Sequence, residues 1–213
     1  MDCCGSSRYG DVFDEKVARR DAEGYRRRGL RAPAQWIVDA LVGEGVVAGA
    51  KVLEVGGGVG AIQLELLEAG AARAVNVEYS PGYEAAAAEL AEEAGVAERI
   101  DREIGDFAED GRFGDADVVL MHRVVCCYPD YERLVGEAAR HARRTLVFSF
   151  PPRNLLSRLV NACSNLWMRV SGSDFRSYVH PPGRMIEIAR GHGFRPVARR
   201  RRRIWLAVAL TRE

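Results

Sequence analysis

No stretch of this chain approaches the roughly 18 uninterrupted apolar residues of a membrane-spanning helix, which argues against stable membrane insertion. The start, Met1-Asp2-Cys3-Cys4-Gly5, lacks the basic-then-apolar order of a secretory signal, so a cytoplasmic protein is expected. Cysteine is scarce and badly spaced for a disulfide framework: four of the five lie in the vicinal pairs Cys3-Cys4 and Cys126-Cys127, and reduced thiols are the expectation. An excess of either charge is missing too. With 31 basic against 30 acidic residues the net charge is +1, which points away from nucleic acid and toward a small-molecule partner. Lysine is nearly absent, Lys16 and Lys51 being the only two; the arginine bias reads as a compositional habit.

What is present suffices for one domain, since 47% apolar residues over 213 positions can build a sizeable core. Residues 1–32 read as a polar, Arg-rich N-terminal arm with short helices, 33–150 as an α/β core, 151–182 as an insertion, and 183–213 as a closing helix and strand pair. Within the core, strands are expected at 51–55, 74–78, 100–104, 117–121 and 145–150, the last two being continuous apolar runs suited to a parallel sheet buried on both faces. Helices alternate with them: one opened by Pro33, one from Ile62 to Gly70, an alanine-rich one capped by Ser80 with Pro81 in its first turn, and one over 131–143. Two strands follow one another near the end, from Pro196 and over 204–210, so an antiparallel pair should complete the sheet. The apolar residues of 155–170 recur at helical spacing, a pattern that most often marks core. A membrane-surface role for them ranks lower, because their arginines are few. The run Arg199 to Arg203 reads as solvent-facing charge protecting a sheet edge.

The chemistry concentrates at Glu54-Val55-Gly56-Gly57-Gly58-Val59-Gly60, a glycine-rich turn between a strand and a helix. Such a turn lets backbone approach a ligand and aims helix N-terminal amides at it. Gly56 to Ala61 also satisfies the dinucleotide pattern G-x-G-x-x-A, with Glu78 at the distance of a ribose-binding acid, so an NAD-linked oxidoreductase is the rival reading. Against it stand the charge of Glu54 at the strand end, the lack of room for a second domain, and the absence of a Tyr-x-x-x-Lys pair.

Val52-Leu53-Glu54-Val55-Gly56-Gly57-Gly58-Val59-Gly60 resembles motif I of the class I S-adenosylmethionine (SAM)-dependent methyltransferases. The resemblance implies a three-layer Rossmann-like α/β fold, a mostly parallel seven-stranded sheet with a terminal antiparallel pair, residues 151–182 as a substrate-covering insertion, and SAM as cofactor with S-adenosylhomocysteine as product. By position it implies that Gly56, Gly57, Gly58 and Gly60 line the methionine part of SAM and that Glu54 holds its amino end directly or through water. Glu78, with Tyr79 beside it, would meet the ribose, Asp106 and Phe107 the adenine, and His122 the methionine. The start Met1-Asp2-Cys3-Cys4 and the segment from His122 to Asp130 further resemble a group of short bacterial methyltransferases, distantly similar to magnesium-protoporphyrin O-methyltransferase.

Methyl transfer asks a protein for alignment, desolvation and, with neutral acceptors, a base. His122, at the end of the fourth strand, is the best-placed base, against a purely positioning role; His180, before two prolines, is a second candidate, against a loop brace. Arg123 suits an acidic acceptor, against an ion pair with Asp130, and Tyr128 either faces substrate or packs. A SAM-binding protein without catalysis is a further alternative. No metal is expected: Cys126 and Cys127 should pack near the substrate pocket, although four thiols with Cys3 and Cys4 are a conceivable zinc or metalloid site.

Overall fold

The computed structural model describes residues 9–10, 12–202 and 204–213. Seven strands, β1 (Lys51–Val55), β2 (Arg73–Glu78), β3 (Ile100–Ile104), β4 (Ala116–His122), β5 (Ala142–Phe150), β6 (Phe194–Arg202) and β7 (Trp205–Arg212), form one sheet in the order β3-β2-β1-β4-β5-β7-β6. The first five run parallel, whereas β7 is antiparallel to both β5 and β6 and sits between them.

Alternation along the central strands sends successive side chains to opposite faces, and each face has its own helices. Leu53, Val119, Met121, Phe148 and Val208 pack with Leu134, Val135 and Ala138 of α6 (Tyr131–His141) and with Met185 and Ala189 of α8 (Pro182–Gly191). Across the sheet, Val52, Val118, Leu120 and Val147 meet Ile37, Val38 and Leu41 of α2 (Ala34–Gly43) and Ile62, Leu66 and Leu67 of α3 (Ala61–Glu68). This is the expected three-layer arrangement.

In the N-terminal arm residues 9–10 are helical and a 14-residue helix, α1 (Glu15–Arg28), follows, with Asp14 capping it through the Val17 amide. Arg26 pairs with Glu89 and Glu93 of α4 (Glu84–Glu93) and Tyr25 donates to Glu65, which ties the arm to the core. Three expectations change. Ser80 stands at the N-cap with Pro81 in the first turn, but that turn, Pro81–Tyr83, is a 3-10 helix leading into α4, and the Ser80 hydroxyl makes no capping bond, donating instead to the Phe13 carbonyl at 2.6 Å. Helix α6 ends at His141 and β5 starts at Ala142, a boundary hidden by exposed Arg143 and Arg144. The amphipathic helix α7 (Leu155–Val170) is not core, because its large apolar side chains face outward. The arginines of β6, as expected, lie on an exposed edge strand.

Candidate active site

The glycine turn leaves β1 and enters α3. Gly56 and Gly58 have φ of 62° and 56°, backbone that side-chain-bearing residues adopt at a cost. A Cβ on Gly57 would collide with Asn76 and Glu54, which fill the space beneath the turn. Gly60 opens α3 from the left-handed region and lies outside the cavity lining.

Glu54 is 2% exposed and accepts from the Gln63 amide at 3.3 Å, so the structure makes it a brace under the turn and not part of the cavity wall. Asn76 donates to Gln63 at 3.2 Å in the same buried layer. Burial pushes the Glu54 carboxyl up to about 8. The unfolded chain thus releases a proton near the ordinary value of 4.5 that the native state keeps, and the stability from holding it is lost as pH rises from there through about 8. Glu54→Gln, which cannot ionise, should remove a fall approaching about 1.4 kcal/mol per pH unit at its steepest. Urea unfolding across that range checks this; parallel stability curves for both proteins would refute it.

At the end of β2, Glu78 is 7% exposed and accepts three backbone N–H groups: Gly58 at 2.8 Å, Tyr79 at 2.8 Å and Ser80 at 3.0 Å. One carboxylate therefore fixes both the glycine turn and the chain leaving β2. Arg102 adds a second brace, donating to the Gly58 carbonyl at 3.1 Å and to Glu84 at 2.8 Å.

After β3, Asp106 caps α5 (Phe107–Asp110) through the Ala108 amide and accepts the Tyr128 hydroxyl with both oxygens at 3.0 Å. Burial raises the Asp106 carboxyl, while the Tyr128 bond opposes the rise; burial and the neighbouring Asp106 raise the Tyr128 phenol. Phe107 is buried and stacks on Phe113 at 5.5 Å.

His122 and Arg123 follow from β4. Ser149 Oγ, on the adjacent strand β5, lies 3.0 Å from His122 Nδ1 and accepts the Arg123 amide at 3.0 Å. Burial pushes His122 down to about 3, with the Arg123 charge assisting. Arg123 holds a φ of 63°, unusual for a residue with a side chain. Its guanidinium lies 4.8 Å over the Trp205 ring and makes no ion pair with Asp130. Cys126 and Cys127 come next, with sulfurs 3.7 Å apart; their shared hydrogen bond pulls the Cys126 thiol down and the Cys127 thiol up. The Tyr9 hydroxyl donates to the Cys127 carbonyl at 2.8 Å, and Tyr9 also packs on Tyr79 at 4.8 Å. Cys3 and Cys4 lie outside the described residues, and the four-thiol idea with them.

These parts enclose a cavity of about 430 Å³, within the size range of small-molecule sites. Its wall holds Gly56, Gly57, Gly58, Glu78, Tyr79, Asp106, Phe107, His122, Arg123 and Tyr128, along with both cysteines. His180 is not among them: Nε2 lies 3.0 Å from the Tyr128 carbonyl, and the ring packs against Tyr131 at 4.3 Å and Tyr178 at 5.4 Å, the geometry of a loop brace. Sequence reasoning missed Phe13, Tyr83 and Trp205 in the wall and Asn76 and Ser149 behind it. The last two carried a signal, being polar residues inside otherwise apolar strands.

Residues 53–148 match the family model described as a methyltransferase domain. Among solved structures, magnesium protoporphyrin IX methyltransferase from Synechocystis with bound S-adenosylhomocysteine is similar with a TM-score of 0.69 at 20% identity, covering 97% of this chain and 94% of that one. An O-methyltransferase family protein from Burkholderia thailandensis reaches 0.74 at 18% identity, over 96% of this chain and 63% of that one. No curated protein sequence matches the chain.

Proposed function

We propose that the chain is a class I SAM-dependent methyltransferase that transfers a methyl group from SAM to a small-molecule acceptor, a carboxylate or another oxygen nucleophile, a reading supported by the methyltransferase-domain match over residues 53–148 and the shared fold. The observation that carries this reading is the common wall of one cavity, where the glycine turn, two carboxylates at the ends of β2 and β3, and the His122–Arg123 pair at the end of β4 all meet. Ligands of open α/β sheets bind at that edge. The insertion of antiparallel β7 between β5 and β6 also separates this sheet from the all-parallel dinucleotide order.

The residues fit SAM by their chemistry. Glu78 uses three backbone donors and still has acceptor capacity for a ribose hydroxyl, while Asp106 and Phe107 offer an acceptor and an apolar surface to adenine. The Gly56–Gly58 backbone is bare enough for the aminoacyl end to approach. When bound, SAM supplies an activated methyl group on its sulfonium, so the protein's share is alignment and exclusion of water.

Arg123, raised over Trp205 at the same wall, suits a bidentate contact with an acceptor carboxylate. His122 acts as a neutral hydrogen-bonding group and not as a base. If Ser149 accepts from Arg123 N and donates to His122 Nδ1, the ring proton sits on Nε2, ready to donate to an acceptor oxygen. A carboxylate acceptor needs no base, which agrees with this role. The rate should therefore show no loss from His122 protonation near the ordinary histidine value of about 6.5. A fall there that vanished in His122→Asn would overturn the assignment.

Calorimetric titration should show binding of SAM and S-adenosylhomocysteine and none of NAD. Labelled SAM offered with panels of carboxylic acids and phenols should then give methyl esters or ethers. Tight SAM binding without turnover on any acceptor would favour a non-catalytic SAM-binding protein, and NAD binding would restore the oxidoreductase reading.

A further inference from the structure

Helix α7 presents an inverted surface. Its outward stripe carries Leu155 at 84%, Trp167 at 69%, Val170 at 75% and Leu159 and Leu166 at 63% exposure, whereas its inward side is polar. That inward side is firmly fixed: Asn165 exchanges two hydrogen bonds of 2.8 Å with the Ser177 backbone, and Asn161 accepts the Ser177 hydroxyl at 2.8 Å. The exposure is therefore built in, since a helix merely undocked from the core would carry its apolar face toward the protein.

The charge pattern selects what covers it. No Asp or Glu occurs from Ala138 to Ser173. Arg158 and Arg169, eleven residues apart and so on nearly the same line of the helix, flank one edge of the stripe; both are exposed and neither makes an ion pair among the described residues. Arg153 adds a third exposed cation just before the helix. A two-fold contact between copies of α7 would bring two acid-free, arginine-flanked surfaces together. An anionic lipid surface answers both features, with the stripe in the acyl boundary and the arginines among headgroups.

We propose that α7 is a peripheral membrane-docking element that lies flat, over about 24 Å, on anionic bilayers. It adjoins the cavity through the segment that follows it: Phe175 packs on Tyr9 and Phe13 of the cavity wall, and the Tyr178 amide donates to the Cys126 carbonyl at 2.7 Å. Docking through α7 places that wall next to the lipid surface.

The test is co-sedimentation of the full chain with vesicles of phosphatidylcholine alone and of equal parts phosphatidylcholine and phosphatidylglycerol. Binding should be roughly tenfold or more stronger on the anionic vesicles and should weaken with added salt. Leu159→Glu/Trp167→Glu should abolish it while leaving the circular dichroism spectrum unchanged, since both side chains are exposed. Arg158→Glu/Arg169→Glu should remove the preference for anionic lipid. Failure of the wild type to pellet with anionic vesicles, or equal pelleting of the Leu159→Glu/Trp167→Glu variant, overturns the proposal. So does a wild-type dimer in sedimentation velocity that this variant converts to monomer, because the stripe would then belong to a second copy.

Discussion

Gly58→Val yields a folded protein without measurable affinity for SAM. Two independent costs meet at this position. The residue sits at φ 56°, where a β-branched side chain is strained by about 1–3 kcal/mol, and its new Cβ would lie 3.1 Å from Tyr83 Cε1 before either branch is placed. Backbone movement gives no relief, because the Gly58 amide is held by Glu78 and its carbonyl by Arg102. Strain at the turn alone would lower stability. The proposed cofactor cradle adds a steric block, since Gly58 lines the cavity and the branched carbons would occupy space the ligand needs. Gly58→Ala, with the same backbone demand and a single added carbon, should show a weaker loss. Calorimetry below each variant's melting temperature separates the two effects, and retained SAM affinity in folded Gly58→Val would mean that the turn serves another purpose.

The sheet was legible from sequence because its strands are short apolar runs broken by strong punctuation. Lys51–Val55 stops at glycine, Arg73–Glu78 at Ser80-Pro81, and 117–121 is buried on both faces, so alternation with helices leaves little freedom in topology. The antiparallel end followed from two strands with no helix between them. Helix α7 departs from the core pattern for a physical reason: a 3.6-residue period reports that a helix has an apolar face, not what covers it. Its polar side, bonded to Ser177, decides the orientation, and that pairing spans a loop whose path no local pattern encodes.

At the site, positions set by strand ends converge, whereas two of the expected side chains turn away from the cavity. The glycines and the acids ending β2 and β3 stand where strand ends converge, and the sheet brings Gly58, Glu78 and Asp106 into one wall. Glu54 lies just beneath the wall, its side chain turned inward beside Gln63 and Asn76 under Gly57, a placement that strand position alone does not specify. His180 was weighed as a base, but two tyrosines and the Tyr128 carbonyl engage its ring. The arm's contribution of Tyr9 and Phe13 rests on packing across the whole chain, which periodicity near residue 10 cannot signal.

Glu78→Ala should weaken SAM binding by about 10-fold or more. Three backbone amides leave roughly one acceptor position on the carboxylate for a ribose hydroxyl, and a donor to a charged acceptor contributes on the order of 1.5–3 kcal/mol, or at least about one power of ten in affinity. The same carboxylate also satisfies the Gly58, Tyr79 and Ser80 amides, and alanine leaves these three donors without it. The variant should therefore melt below the wild type even without ligand, because unsatisfied buried donors are costly. Two measurements separate the roles: the melt of the free protein reports the backbone role, and titration at a temperature where both proteins are folded reports the ligand role. Glu78→Gln sharpens the comparison. Its carboxamide keeps the shape and one acceptor oxygen, but its NH2 must face either Gly58 N–H or the Tyr79 and Ser80 pair, donor against donor. A glutamine variant that binds SAM as poorly as alanine, though it melts closer to the wild type, assigns the loss to the ligand-facing acceptor. Unchanged SAM affinity in a folded Glu78→Ala protein would remove Glu78 from the cofactor site and leave it only the task of pinning the turn.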